Sequence, residues 1–294
     1  MPMTHRRAVL TMVAATLMWS IAGVVSRHIE AARGFEVTFW RSFFNAVAMV
    51  VLLGAMRGPA PLWRSLREGG RALWVSGLCW AVMYTAFMLA LTLTTVANVL
   101  VLIALTPLIT ALASRFVLGH RLAARTWAAI VIAGAGIVWM YARELSGADA
   151  RNLLGMAIGV AVPLAAATNW TLMQHNRGAA QQDMLPAVLI GAALSALVTL
   201  LPAMPFVATA HDLALLALLG VVQLAIPCLL AVMVARSLSA PEISLLGLLE
   251  VIFGVLWAWL GAGEAPGASV ISGGLLVLGA LAGNELLALR ERRA

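Results

Sequence analysis

The chain has no lysine, two cysteines and only 11% charged residues in 294. Each scarcity excludes something. A Walker-type phosphate loop reads G-x-x-x-x-G-K-[ST] and cannot be built without lysine. A soluble domain carries about 25% charged residues. With 63% hydrophobic residues and a mean hydropathy of +0.98, water is not the solvent for most of this surface. Cys79 and Cys228 both lie deep inside apolar runs, where small buried residues explain them better than a disulfide or a metal site. No H-E-x-x-H, C-x-x-C or G-x-S-x-G pattern occurs, so the sequence carries no metal, cofactor or hydrolase signature.

What is present is a series of apolar runs of membrane length. Ala8 to Ser26 and Val37 to Met56 are the first two. Between Arg71 and Arg115 lie 43 residues without a charge, enough for two spans joined by a tight turn near Thr92 to Thr95. Thr126 to Ala142 is the fifth. Asn152 to Gln174, Met184 to Met204, Leu213 to Ala235, Ile243 to Gly261 and Gly267 to Asn284 complete ten spans. The runs are continuously apolar rather than alternating, which predicts an all-α polytopic membrane protein and not a barrel. Ala8 to Ser26 exceeds a signal-peptide core and lacks a clean cleavage site, so it reads as a retained first span.

All 19 basic residues are arginine, giving a net charge of +7. They are dispersed between apolar runs and form no continuous patch, which argues against a nucleic-acid partner. Their placement carries topology instead. With the N-terminus in the cytoplasm, Arg6, Arg7, Arg57, Arg64, Arg67, Arg71, Arg115, Arg121, Arg125, Arg177, Arg236, Arg290, Arg292 and Arg293 fall inside. Only Arg27, Arg33, Arg143 and Arg151 fall outside. Such a positive-inside bias requires an even span count and puts both termini in the cytoplasm.

A shift of 144 residues lays Ile103 to Leu122 over Gly247 to Pro266, with Gly119 over Gly263 and His120 over Glu264. The chain therefore divides into a first five-helix repeat, residues 1–147, and a second, residues 148–294. Five is odd, so the second copy enters the membrane upside down. Inverted repeats are typical of alternating-access carriers, whose substrate site lies near the midplane between the halves.

On these features the sequence resembles the drug/metabolite transporter superfamily, specifically its ten-helix EamA-type members. The resemblance is carried by Thr106-Pro107-Leu108 followed by Leu118-Gly119-His120, and by Leu249-Glu250-Val251 followed by Gly263-Glu264. Members usually have Glu after the glycine in both halves and Pro in both helices; here His120 and Val251 depart from that pattern. The resemblance implies a multi-pass protein of the bacterial inner membrane that exports amino acids or other metabolites without ATP hydrolysis. The ten tryptophans and many methionines are similar to those of exporters of aromatic and other amphiphilic amino acids.

Candidate pathway residues are the polar and aromatic side chains inside spans. An intramembrane charge costs about 2.5 to 3.5 kcal/mol on insertion scales. Glu250 therefore faces a partner or a wet cavity, as substrate-amine contact, proton carrier or structural hydrogen-bonding residue. Arg41, with Asn45 one turn on, either snorkels to the interface or anchors a carboxylate through its guanidinium fork. Trp19, the pair Trp80 and Tyr84, and Asn169 with Trp170 offer stacking surfaces or helix packing. The amides of Asn169 and Gln223 would lack partners in lipid. Pro163 and Pro227 each free a backbone carbonyl for solute or water, or kink the helix. Trp63, Trp74, Trp127 and Trp139 sit near span ends, where an aromatic belt explains them. Gly279 to Gly283, reading GALAG, fits a small-residue helix contact.

The expected cavity is formed by spans one, two, three, six, seven and eight, with span nine supplying Glu250. The expected function is secondary export of small organic metabolites, chiefly aromatic and amphiphilic amino acids. A carrier of drugs, sugars or nucleotide precursors is the same-fold alternative, and a membrane enzyme acting on lipid-linked substrates at the Arg115 to Arg125 loop is a remoter one. The expected partners are a small-molecule substrate and the bilayer, with the chain a monomer or homodimer.

Overall fold

The computed structural model describes residues 3–94, 96–119, 122–142, 149–179, 183–262 and 267–291. His120, Gly263 and Glu264, and with them the expected Gly-acid turns, lie outside these residues.

Every apolar run is a helix. Seven helices are long and apolar enough to cross a bilayer: span 1 (His5–Ser26), span 2 (Phe35–Arg57), span 3 (Arg71–Leu93), span 4 (Asn98–Leu118), span 6 (Ala150–Asn176), span 8 (Ala210–Val234) and span 9 (Ala240–Gly261). Span 5 (Ala124–Met140), span 7 (Pro186–Leu200) and span 10 (Ala268–Asn284) are shorter apolar helices, bringing the number to the ten expected. The chain is a polytopic all-α membrane protein. Lipid dictates this uniformity, since a helix satisfies its own main-chain groups wherever water is absent. Large apolar side chains such as Val51, Phe116, Val198 and Leu275 accordingly point away from the protein.

Main-chain groups left over at helix ends are capped locally. Thr209 with Asp212 and Ser239 with Glu242 form reciprocal capping boxes at the starts of spans 8 and 9. Gly119, at φ 67°, ends span 4 in the left-handed conformation that glycine adopts without steric cost. Between spans 2 and 3 a short helix, Pro59–Arg67, carries arginines and an exposed Trp63.

Span 3 packs against spans 6 and 7, span 8 against spans 1 and 2, and spans 6 and 1 also contact spans 4 and 9 respectively. Spans 2 and 7, 4 and 9, and 5 and 10 form further pairs. Exchanging span n for span n+5 maps these contacts onto one another. The close approaches repeat as well. A Cβ on Gly77 would lie 2.5 Å from Ile190 of span 7, and one on Gly220 would lie 2.7 Å from the Arg41 carbonyl of span 2. Spans 5 and 10 meet at Gly136 and Gly273, where an added Cβ would lie 2.8 and 2.5 Å from the opposite glycine's carbonyl. The GALAG segment is not that contact: among the described residues nothing lies within 4 Å of a Cβ added at Gly279 or Gly283.

Two networks tie the halves together, one at each membrane face. On the face opposite the N-terminus, Asp212 accepts from the main-chain N–H groups of Glu30, Ala31 and Ala32 at 2.8, 3.0 and 3.0 Å. Glu36 reciprocates by accepting from Val207 and Ala208, both at 2.9 Å. On the N-terminal face Asp183 pairs with Arg57, and with Arg236 at 3.3 Å, while His5 lies 3.6 Å from Glu242.

Four spans are not continuous α-helices. Span 1 is interrupted after Trp19 and resumes at Ala22. Span 4 breaks between Ile103 and Thr106, just before Pro107. Span 9 breaks at Leu248. Span 8 winds as a π-helix over Leu219–Ala225, the Ile226 N–H donating to Val221 five residues back. Pro227 follows at once and, lacking an N–H, ends any regular ladder there. Pro163, by contrast, sits within one uninterrupted helix, Ala150–Ala179.

Candidate functional site

The interruptions converge. A cavity of about 150 Å³ is lined by Trp19 from span 1, Thr106 from span 4, Gln223 from span 8, and Leu248 and Glu250 from span 9, each at or beside a break. Spans 2, 3 and 6 complete the wall with Arg41, Trp80, Tyr84 and Trp170. Broken helices are tolerated at membrane depth where they line a cavity, and π turns recur at functional positions. A volume near 150 Å³ admits a single aromatic ring.

Seven of the nine expected side chains line this cavity: Trp19, Arg41, Trp80, Tyr84, Trp170, Gln223 and Glu250. The three central aromatics form one wall. Trp80 stacks on Tyr84 with centroids 5.6 Å apart at 28°, and meets Trp170 edge-on at 5.6 Å and 90°. That geometry places π faces and ring edges together, the arrangement aromatic rings favour. Span 7 holds the wall from behind: Gly191 approaches so closely that a Cβ there would sit 2.3 Å from that of Trp80. Ser195 of the same span bonds Ser42 and Thr85, both at 2.9 Å. Span 7 therefore supports the cavity without lining it, and span 4 takes the place expected for it.

Arg41 does not snorkel. It is 2% exposed, its Nη2 donates to the Tyr84 carbonyl at 3.3 Å, and its Nε has no partner. Glu250 faces the same cavity from span 9 and interacts with Arg41 through space, with no ion pair joining the two. One cation and one acid thus line a largely apolar chamber. The buried Trp80 Nε1 and Gln223 Oε1 are likewise without hydrogen-bond partners, whereas the Tyr84 hydroxyl lies against Cys228 and Asn45. Buried polar groups are nearly always paired in finished protein structure; unpaired buried atoms also occur outside the cavity, at Asn45, Asn169 and Thr171, but those in its lining are the ones a solute can reach.

Asn45 and Asn169 lie behind the wall. Asn169 accepts from Ser76 at 2.6 Å, tying span 6 to span 3. Asn45 is fully buried beside the Tyr84 hydroxyl. Pro227 precedes Cys228, which lines the cavity, and Pro163 lies between the lining residues Val162 and Ala166.

Several lining residues were not singled out in the sequence. Cys228 reads there as an inert buried residue, yet it faces the cavity with Thr106, Met12 and Ser244. Thr106 carried a usable signal, a hydroxyl immediately before an intramembrane proline. Met12 carried none.

Residues 6–142 match the model of the EamA-like transporter family. No curated protein matches the chain. A solved crystal structure shares the fold at a TM-score of 0.82 and 20% identity, over 98% of this chain and 99% of that one. The first half of the chain thus carries the pattern of the EamA-like transporter family, a pattern of membrane transporters of the drug/metabolite type, and the whole chain shares its fold with a solved structure.

Proposed function

We propose that the protein is a secondary exporter of amino acids, chiefly aromatic and other amphiphilic ones, in the bacterial inner membrane. The observation that carries this reading is the joint presence of Arg41, Glu250 and the Trp80, Tyr84 and Trp170 wall around one cavity. An amino acid needs opposed partners for carboxylate and ammonium, and an apolar surface for its side chain. Arg41 offers a fork matched to a carboxylate, Glu250 a counter-charge for the amine, and the wall a stacking surface. Balancing charges on the solute also lessens the cost of holding both groups in a dry site.

Transport proceeds by rocking of two inverted halves, residues 1–147 and 148–294, with both termini cytoplasmic. The exchange of contacts between span n and span n+5 supports the repeat, and the arginine distribution supports the orientation. The substrate is the expected partner alongside the bilayer, with the chain acting as a monomer or homodimer. The decisive experiment is uptake by liposomes containing the purified protein, with labelled amino acids tested with and without a pH gradient. Movement of aromatic members is the expected result. If no amino acid moves while a sugar or cationic dye does, the cargo assignment fails.

A further inference from the structure

A side-chain amide has a donating end and an accepting end, and its surroundings ordinarily decide which way it turns. At Gln223 that decision is forced. Its Nε2 donates to the Trp19 carbonyl at 3.2 Å. A carbonyl only accepts, so the NH2 end must face it. The opposite end, Oε1, is buried without a partner, in a residue that is 4% exposed and lines the cavity.

Both anchors of this geometry are local irregularities. The Trp19 carbonyl stands where span 1 breaks, and the hydroxyl of the next residue, Ser20, is held by Trp257 Nε1 of span 9 at 3.0 Å. Gln223 stands in the π turn of span 8. That turn is pressed onto span 2 through Gly220, where a Cβ would meet main-chain atoms of Arg41 and Asn45 at 2.7 and 2.9 Å. Neither anchor can move without displacing a neighbouring span, so Oε1 has a fixed position.

The other polar groups of the lining differ in kind. Arg41, Trp80, Trp170 and Trp19 have side chains that only donate, and the Tyr84 and Thr106 hydroxyls and the Cys228 thiol are rotors that can donate or accept. The Ser244 hydroxyl donates to the Pro241 carbonyl at 3.1 Å. Gln223 is thus a neutral, orientation-locked acceptor in a chamber rich in donors. We infer that Gln223 is a specificity-determining residue, its Oε1 requiring an N–H donor from the solute and so selecting those that bear a primary ammonium. The inference rests on the amino-acid reading of the cavity and adds to Glu250 a second acceptor, one that discriminates without bearing charge. A site built to hydrogen-bond a solute group rejects the analogue lacking that group far more strongly than an apolar pocket does, because its own buried atom is then left unpaired.

The test is equilibrium binding to the purified full chain of three probes sharing one ring: phenylalanine, phenethylamine and 3-phenylpropanoate. Gln223→Met keeps the length and removes the acceptor. It is expected to raise Kd about tenfold for the two amines, the effect of one hydrogen bond to a charged group, and to leave 3-phenylpropanoate within about twofold. The ratio of two probes on one sample does not depend on the fraction of protein folded, so partial misfolding does not imitate this result. Gln223→Glu retains an acceptor and is expected to keep the preference for phenethylamine over 3-phenylpropanoate. Equal weakening of all three probes in Gln223→Met, or loss of that preference in Gln223→Glu, overturns the assignment and leaves the amino-acid reading standing. A wild-type protein that binds none of the three overturns both.

Discussion

Adding one methyl group at Gly191 is expected to damage the cavity without touching it. Its Cβ would lie 2.3 Å from the Trp80 Cβ, 2.9 Å from the Gly77 carbonyl oxygen and 3.0 Å from the Ala81 nitrogen. Carbon atoms in contact settle about 3.5 to 4.0 Å apart. Two of the three obstacles are main-chain atoms, so no rotamer change relieves them, and spans 3 and 7 must separate by more than about 1 Å. Overpacking of this kind costs about 1 to 3 kcal/mol. The displaced element carries Trp80 and Tyr84, and a shift of that size at a binding wall is expected to lower amino-acid transport by about tenfold or more. Gly136→Ala supplies the comparison: its Cβ meets the Gly273 carbonyl at 2.8 Å, in the pair of spans 5 and 10, which contribute nothing to the cavity lining. It is expected to cost similar stability while leaving transport per folded molecule unchanged. Gly279→Ala, with open space around it, is expected to be neutral or to stabilise by up to about 1 kcal/mol. Thermal denaturation in detergent and proteoliposome uptake, measured on the same preparations, read both quantities. Normal stability and transport in Gly191→Ala, or equal transport losses in Gly191→Ala and Gly136→Ala, would refute the reasoning.

Three further outcomes follow from the site and the faces. Glu250→Gln is expected to cut amino-acid transport and flatten its response to a pH gradient; unchanged values on both counts leave Glu250 a structural residue. Arg41→Lys keeps the charge but loses the planar fork, and is expected to weaken phenylalanine binding about tenfold, whereas equal affinity would show that charge alone is read. Asp212→Ala removes the acceptor of the Glu30, Ala31 and Ala32 N–H groups. In a Cys79→Ala background it is expected to speed labelling of Cys228 by a membrane-impermeant thiol reagent added from that face, and an unchanged rate means that these bonds do not control access.

The spans were legible because lipid enforces length and composition on every segment that crosses it. Arginines mark the ends of several of those segments in the first half, where helices such as Phe35–Arg57 and Arg71–Leu93 end or begin on one. Arg41 and Glu250 were legible for the same reason, since a charge in an apolar run needs an explanation that a surface charge does not. The breaks were less so. The break at Leu248 has only the preceding Gly247 to signal it, and the π turn over Leu219–Ala225 lies where Gly220 packs closely on span 2, a contact the sequence does not show. Pro163 sits in an unbroken helix, so an intramembrane proline alone does not predict an interruption. Asn169 illustrates a different ambiguity: a mid-span amide needs a partner, but sequence does not say whether that partner is a solute or, as here, Ser76. Gly279 and Gly283 have the spacing of a helix contact, yet the close approach between spans 5 and 10 is made at Gly136 and Gly273, outside that segment.

The two faces of the molecule are fastened by different chemistry. Asp212 and Glu36 hold main-chain N–H groups through short, directional bonds between the first two and the seventh and eighth spans. Asp183 instead holds Arg57 and Arg236 as partly exposed ion pairs. Exposed pairs weaken as the Debye length shortens, from about 30 Å at 0.01 M to about 3 Å at 1 M salt, while a carboxylate seated on backbone amides is little affected. Ionic strength is therefore expected to act on one side: it weakens the Asp183 ion pairs of the N-terminal face, where Ser237 and the Met3 carbonyl remain bonded, and leaves the carboxylate–amide bonds of the opposite face in place.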